Sequence, residues 1–131
     1  MHRVFIYGTL KRGQRNHAFL KSARFIGEAR TAAAVYSMRC AVDTAAGYPY
    51  PAVMDGGAGF ISGDVYDGVD DALLARLDDL EELGTEYRRD MVDLSDGTQA
   101  WIYLWIGPDE VLRDVRPEIR YDNEHKTYIW C

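Results

Sequence analysis

Only one stretch of this chain is long and periodic enough for a full-length helix, DDALLARLDDLEEL at residues 70–83. Every other apolar run is of strand length and is bounded by Gly, Pro, Asn, Asp or Ser, the punctuation of strands and turns. Strands joined by turns, without regular crossover helices, argue against a doubly wound parallel sheet. The expected class is therefore α+β, with a curved or closed, mostly antiparallel sheet. With 131 residues, no internal repeat and no linker, residues 1–131 read as a single domain.

The spacing predicts the first strand at residues 3–7, apolar on both faces through Val4, Phe5, Ile6 and Tyr7. Residues 8–16 read as loop, 17–21 as a short turn, and 24–38 as extended pieces with a bend at Gly27. A loop at 43–51 holds Pro49 and Pro51, and short strands follow at 52–54 and 60–66. The helix has Asp70 as its N-cap and Gly84 as its stop. Residues 87–94 and 99–106 form a hairpin around Ser95-Asp96-Gly97. One helical turn is expected at 109–114, and the polar-aromatic tail carries no clear pattern.

Formal net charge is −6 and the pI is near 5, which excludes a general nucleic-acid or anionic-membrane surface. No run of apolar residues is long enough to span a bilayer, and MHRVFIYG carries no secretory h-region, so a cytoplasmic protein is expected. Cys40 and Cys131 read as two unpaired thiols. His2, His17 and His125 stand far apart, in no metal-ligand spacing, and no metal or cofactor is expected.

Two local features suggest chemistry. The first is YGTLKRG, residues 7–13, directly behind the first strand. Its glycines have the separation of a phosphate loop, but Gln14 and Arg15 stand where a lysine and a hydroxyl are needed. Such a turn can still offer backbone N–H groups to a carboxylate or an oxyanion. It can equally be a plain strand-ending turn with Lys11, Arg12 and Arg15 in solvent. The second feature is an acid on the apolar side of the helix. Leu73, Leu77 and Leu80 follow the i, i+4, i+7 pattern, and Glu81 continues it. Glu82 falls on the opposite side, Asp79 lies off the stripe, and Asp78 sits at its border. A carboxyl drawn into an apolar sector has a raised pKa, the condition for acid/base work near neutrality. Alternatively Glu81 pairs with Arg88 or Arg89 at the edge of the stripe.

Both features occur together in one family. VFIYGTLKRGQRNHAFL at residues 4–20 resembles the opening strand, Y-G-T-L loop and K-R-G-Q-x-N-H continuation of the gamma-glutamylcyclotransferase-like superfamily, most closely its gamma-glutamylamine cyclotransferases. GDVYDG (63–68), LDDLEE (77–82) and YRR (87–89) are similar to its G-x-V-Y, L-D-x-x-E and Y-x-R segments, in the same order. Past the hairpin only Tyr121-Asp122 is similar. Many members have glycine after the glutamate, where this chain has Glu82.

The resemblance implies a small mixed, mostly antiparallel β-barrel with one main helix and short flanking helices. It implies Glu81 as catalytic acid/base and Tyr7, Gly8, Thr9 and Leu10 as the substrate loop. The implied reaction takes a small-molecule gamma-glutamyl amine to 5-oxoproline and free amine, without metal or cofactor. The alternative is a non-catalytic domain of the same fold that binds a small molecule or a protein.

Overall fold

The computed structural model describes residues 1–131. A strand apolar on both faces must be covered on both, and β1 (His2–Ile6) lies inside the main sheet. Its neighbours are β5 (Phe60–Val69), antiparallel, and β7 (Gln99–Trp105), parallel. Outside β7 lies β6 (Tyr87–Asp93), its hairpin partner, in register from Tyr87–Trp105 to Asp93–Gln99. The other edge of β5 pairs with β2 (Arg24–Arg30). Thr31 then bridges to Leu94, so the end of β2 meets the end of β6 and the sheet curls on itself. Thr31 is fully buried there, its hydroxyl taking the Ile61 N–H and donating to the Ala33 carbonyl.

A second, small sheet has the order β4 (Tyr50–Asp55), β3 (Tyr36–Ala41), β8 (Leu112–Arg113). The chain ends as a hairpin, β9 (Ile119–Asp122) and β10 (Thr127–Trp130), with β10 parallel to the start of β5. Short 3₁₀ turns lie at His17–Leu20 and Asp109–Val111. No helix is long and apolar enough to cross a membrane.

The one α-helix, α1 (Asp71–Leu80), starts at Asp70, whose carboxylate accepts the Leu73 N–H at 2.7 Å. Leu73, Leu74 and Leu77 are buried against Val4, Ile6, Val69, Tyr87 and Tyr103. Phe5, on the other face of β1, and Tyr7 just beyond it belong to a second core with Val53, Ile61 and Ile102.

Several boundaries differ from the sequence reading. The helix ends at Leu80, three residues before the predicted limit. Strand β4 begins at Tyr50, so Tyr50 and Pro51 are strand and not loop. Pro51 is tolerated because β4 is an edge strand, where a missing N–H costs no ladder bond. Strand β5 runs to Val69, and the tail is a regular hairpin.

Candidate active site

Tyr7, Gly8, Thr9 and Leu10 leave the end of β1 and line a pocket of about 590 Å³, counted to its open mouth. Glu81 lines the same pocket from the end of α1, with Leu80, Glu82 and Glu86 beside it. Tyr87 and Tyr103 come from the hairpin, Tyr48, Tyr50 and Pro51 from β4 and the loop before it, and Asn16 from the turn after the loop. The sequence-derived candidates are thus brought together in one concave site.

The loop is built differently from a phosphate cradle. Arg12 bonds Asp64 through both its backbone N–H and its side chain, reaches Glu28, and lies over Phe25. Lys11 donates to the Trp130 carbonyl at 2.6 Å, and Arg15 stacks on Tyr48. Lys11 and Arg12 strap the loop to β10, β5 and β2, Arg15 ties it to the loop before β4, and none of the three lines the pocket. Arg12 and Arg15 remain exposed, as the plain-turn reading has them, but each is held by a partner; for Arg12 that partner is the buried Asp64 carboxylate. Gly8 is required by crowding: a Cβ there would stand 2.4 Å from the Pro51 Cγ. The N–H groups of Gly8, Thr9 and Leu10 bond no carbonyl or side chain of the protein, although Gly8 and Leu10 are buried. Buried N–H groups need an acceptor, so this turn is poised for water or an anionic ligand atom. Asn16 donates to the Thr9 hydroxyl and to the Tyr48 hydroxyl, holding the loop against the far wall.

Glu81 is the residue at which α1 ends; its own N–H still bonds the Leu77 carbonyl. Its side chain is partly buried and lines the pocket. Burial, and then the nearby Glu86 carboxylate, push its pKa up to about 8. The negative end of the helix acts in the same direction. The two cations that could have paired with it are engaged elsewhere: Arg88 with Asp55 and Asp90, Arg89 with Asp78. Glu86 is also raised by partial burial, against the hydrogen bond that it accepts from Tyr50 at 2.6 Å. Tyr7, Tyr87 and Tyr103 are pushed up first by burial and further by the Glu81 charge, so they remain neutral phenols. Tyr7 donates to the Tyr103 carbonyl and Tyr87 to the Pro51 carbonyl.

Glu82 is exposed, as expected, but helical phase is not the reason. It lies past the helix with φ of 49°, a left-handed conformation that closes the terminal turn. This is where glycine costs least. Glu82→Gly is expected to stabilise the fold by about 1 kcal/mol in denaturant melts.

Among the pocket residues that the sequence reading did not name as site residues are Asn16, Tyr48, Tyr50, Glu86, Tyr87 and Tyr103. Asn16 stood inside the opening motif, and Tyr48 and Tyr50 are two aromatics in a Pro-rich turn, an unusual place for them. Nothing local marked Tyr103, which is buried in a strand. No three His, Cys, Asp or Glu side chains are grouped as metal ligands.

Comparison with known proteins identifies the family and the fold. The family model described as gamma-glutamyl cyclotransferase, AIG2-like, matches residues 4–125. A Vibrio cholerae protein provisionally named a gamma-glutamylcyclotransferase is 38% identical over 106 residues, covering 79% of this chain and 82% of its own length. The gamma-glutamylcyclotransferase family protein YtfP of Escherichia coli K12 is 32% identical over 111 residues, covering 85% of this chain and 88% of its own. An AIG2-like protein from Mus musculus superposes with a TM-score of 0.65 at 28% identity, over 90% of this chain and 81% of that one.

Proposed function

The chain belongs to the gamma-glutamyl cyclotransferase, AIG2-like family, and from that premise we propose that it converts a gamma-glutamyl amine to 5-oxoproline and the free amine, with Glu81 as general acid/base. The observation that carries this reading is a partly buried carboxyl without a cationic partner, lining the same pocket as a turn whose three N–H groups bond no other group of the protein.

The substrate supplies its own nucleophile. The α-ammonium gives a proton to the Glu81 carboxylate, and its lone pair attacks the γ-carbonyl carbon. A five-membered ring closes, and the carbonyl oxygen becomes an oxyanion. Glu81 returns the proton to the amide nitrogen, and the carbon–nitrogen bond breaks. The ring nitrogen ends with one hydrogen. The leaving amine gains two protons in all, one through Glu81 and one through solvent. A base with a pKa of about 8 is a far better match for an α-ammonium than an ordinary glutamate is, so the transfer is much less uphill. The N–H groups of Gly8, Thr9 and Leu10 receive the α-carboxylate or the oxyanion. Folding the substrate into the attacking pose is the remaining task, and the tyrosine walls serve it.

The pocket lining includes Glu81, Glu82 and Glu86 and no Lys, Arg or His. Carboxylates in this lining disfavour a leaving group that carries its own carboxylate. This supports a gamma-glutamyl amine over a glutathione-type substrate.

The test is 5-oxoproline release over a panel of gamma-glutamyl amines, gamma-glutamyl amino acids and glutathione. The amines are expected to turn over fastest. With the best substrate, kcat/KM should climb tenfold per pH unit up to a bend near pH 8. A bend at pH 4–5, as for an ordinary glutamate, would remove Glu81 from this role. Tight binding of the panel with no 5-oxoproline formed would instead identify a binding domain.

A further inference from the structure

Two motif residues lie outside the pocket lining: the aspartate of L-D-x-x-E, Asp78, and the arginine of Y-x-R, Arg89. The fold joins them. One Arg89 nitrogen, Nη1, reaches both Asp78 oxygens, at 3.1 and 3.0 Å, and the Tyr103 hydroxyl donates to Asp78 at 2.7 Å. Each side chain of the ion pair is only about a fifth exposed, 19% for Asp78 and 21% for Arg89. The Arg88–Asp55 pair on the same strand is far more open, at 44% and 54%. Arg89 is also fixed from behind by Trp101.

The position of this cluster matters. Asp78 lies one helical turn before Glu81. Its carbonyl accepts the Leu83 N–H, and the neighbouring Asp79 carbonyl accepts that of Glu82. The turn so formed contains the left-handed Glu82, a conformation that persists only where the surroundings enforce it. Around Glu81 stand Glu82 and Glu86 from its own segment, Tyr87 from β6, Tyr103 from β7 and Tyr7 from the end of β1. None of these donates a hydrogen bond to the Glu81 carboxyl. Its place is set from outside, through the backbone.

We propose that Asp78 is the positioning residue of this site: clamped between Arg89 and Tyr103, it pins the last turn of α1 to the hairpin and so keeps the Glu81 carboxyl inside the pocket. The proposal rests on Glu81 as the working acid/base, but its geometric part can be tested without turnover.

The experiment is a carbon-13 titration of the glutamate carboxyls in the wild type, Asp78→Asn and Tyr103→Phe, with Glu81→Gln identifying the Glu81 signal. In the wild type the Glu81 signal should titrate near pH 8. In Asp78→Asn the turn loosens, water reaches the carboxyl, and the midpoint should fall by a unit or more. Tyr103→Phe keeps the ion pair and should move it less, in the same direction. In the activity assay Asp78→Asn should lower kcat about a hundredfold while KM changes little, the signature of a misplaced catalytic group. A clamp that only stabilises the fold would lower the melting temperature and leave the midpoint alone, and that result overturns the proposal. Should Asp78→Asn not fold, an unmoved midpoint in Tyr103→Phe has the same force. A shifted midpoint in a protein that releases no 5-oxoproline from any panel member would refute the proposed reaction and leave the positioning role standing.

Discussion

Glu81→Gln should abolish 5-oxoproline release and, at the same time, make the protein harder to unfold at neutral pH. The loss of turnover is expected because glutamine keeps the shape of the side chain but can neither take the ammonium proton nor give one back. Losing a general acid/base costs about 10²–10⁴-fold, and here one group serves both transfers. The gain in stability follows from the raised pKa. In the unfolded chain Glu81 ionises near its ordinary value, while the folded protein holds it protonated up to about pH 8. Folding therefore takes up a proton at pH 7. This costs about 1.4 kcal/mol for each unit between the pH and the unfolded pKa, a cost that is absent near pH 4 and grows as the pH rises toward 8. Glutamine has no proton to lose, so the variant escapes the penalty. Its advantage should be negligible at pH 4 and reach about 3–4 kcal/mol at pH 7, or several degrees in melting temperature. Melts of the two proteins at pH 4, 6 and 8 make the comparison. A variant less stable than the wild type at pH 8 would mean that the carboxylate is held by favourable partners, contrary to the pocket described here. Glu82→Gln, one residue on and exposed, should leave both quantities nearly unchanged.

What was legible in the sequence followed from local chemistry. The hairpin of β6 and β7 was readable because its turn residues and its pattern lie within one short stretch. The helix was readable from its leucines and from Asp70. Glu81 was readable because period and composition conflict there: a carboxyl continues an apolar stripe. The less legible features depend on distant partners. The tail hairpin is made of polar-aromatic residues, and its place is set by β5, some sixty residues earlier in the chain. Tyr50 and Pro51 looked like loop because a proline is read as a breaker, and only the edge position of β4 makes it acceptable. The helix end was misplaced by three residues because the stop is a left-handed glutamate, which no propensity favours over the glycine two positions later. The basic residues of the loop gave the least guidance. Their partners, Asp64, Glu28 and the Trp130 carbonyl, lie on three different strands.

Gly8 is the position where that distance matters most, and substituting it should produce the second large effect. From the sequence, a glycine after a strand suggests freedom to turn. In the fold its role is to leave room. A Cβ on residue 8 would come within 2.4 Å of the Pro51 Cγ and 2.9 Å of its Cδ. These atoms belong to a closed ring and cannot swing aside. Strand β4 cannot retreat freely either, since Tyr87 donates to the Pro51 carbonyl and Pro51 is paired with Cys40 across the small sheet. Gly8→Ala must therefore push the loop into the pocket, moving the free N–H groups of residues 8–10 relative to Glu81. A displacement of about 1 Å at such a site can cost 10²-fold in rate, and overpacking of this kind costs about 1–3 kcal/mol in stability. The cause can be separated from a general intolerance of side chains at this position. Pro51→Ala removes both offending atoms, and the Cβ that remains lies at an ordinary 3.9 Å from the new methyl. The double variant Gly8→Ala/Pro51→Ala should thus recover most of the kcat/KM and the melting temperature lost by Gly8→Ala alone, although Pro51→Ala by itself opens a small void. Non-additivity of that sign is the mark of two groups competing for one volume. If the double variant is as impaired as the sum of its parts, the glycine is needed for its backbone conformation and not for the approach of Pro51. The pocket wall is then shaped by the loop itself, and not by the packing of β4 against it.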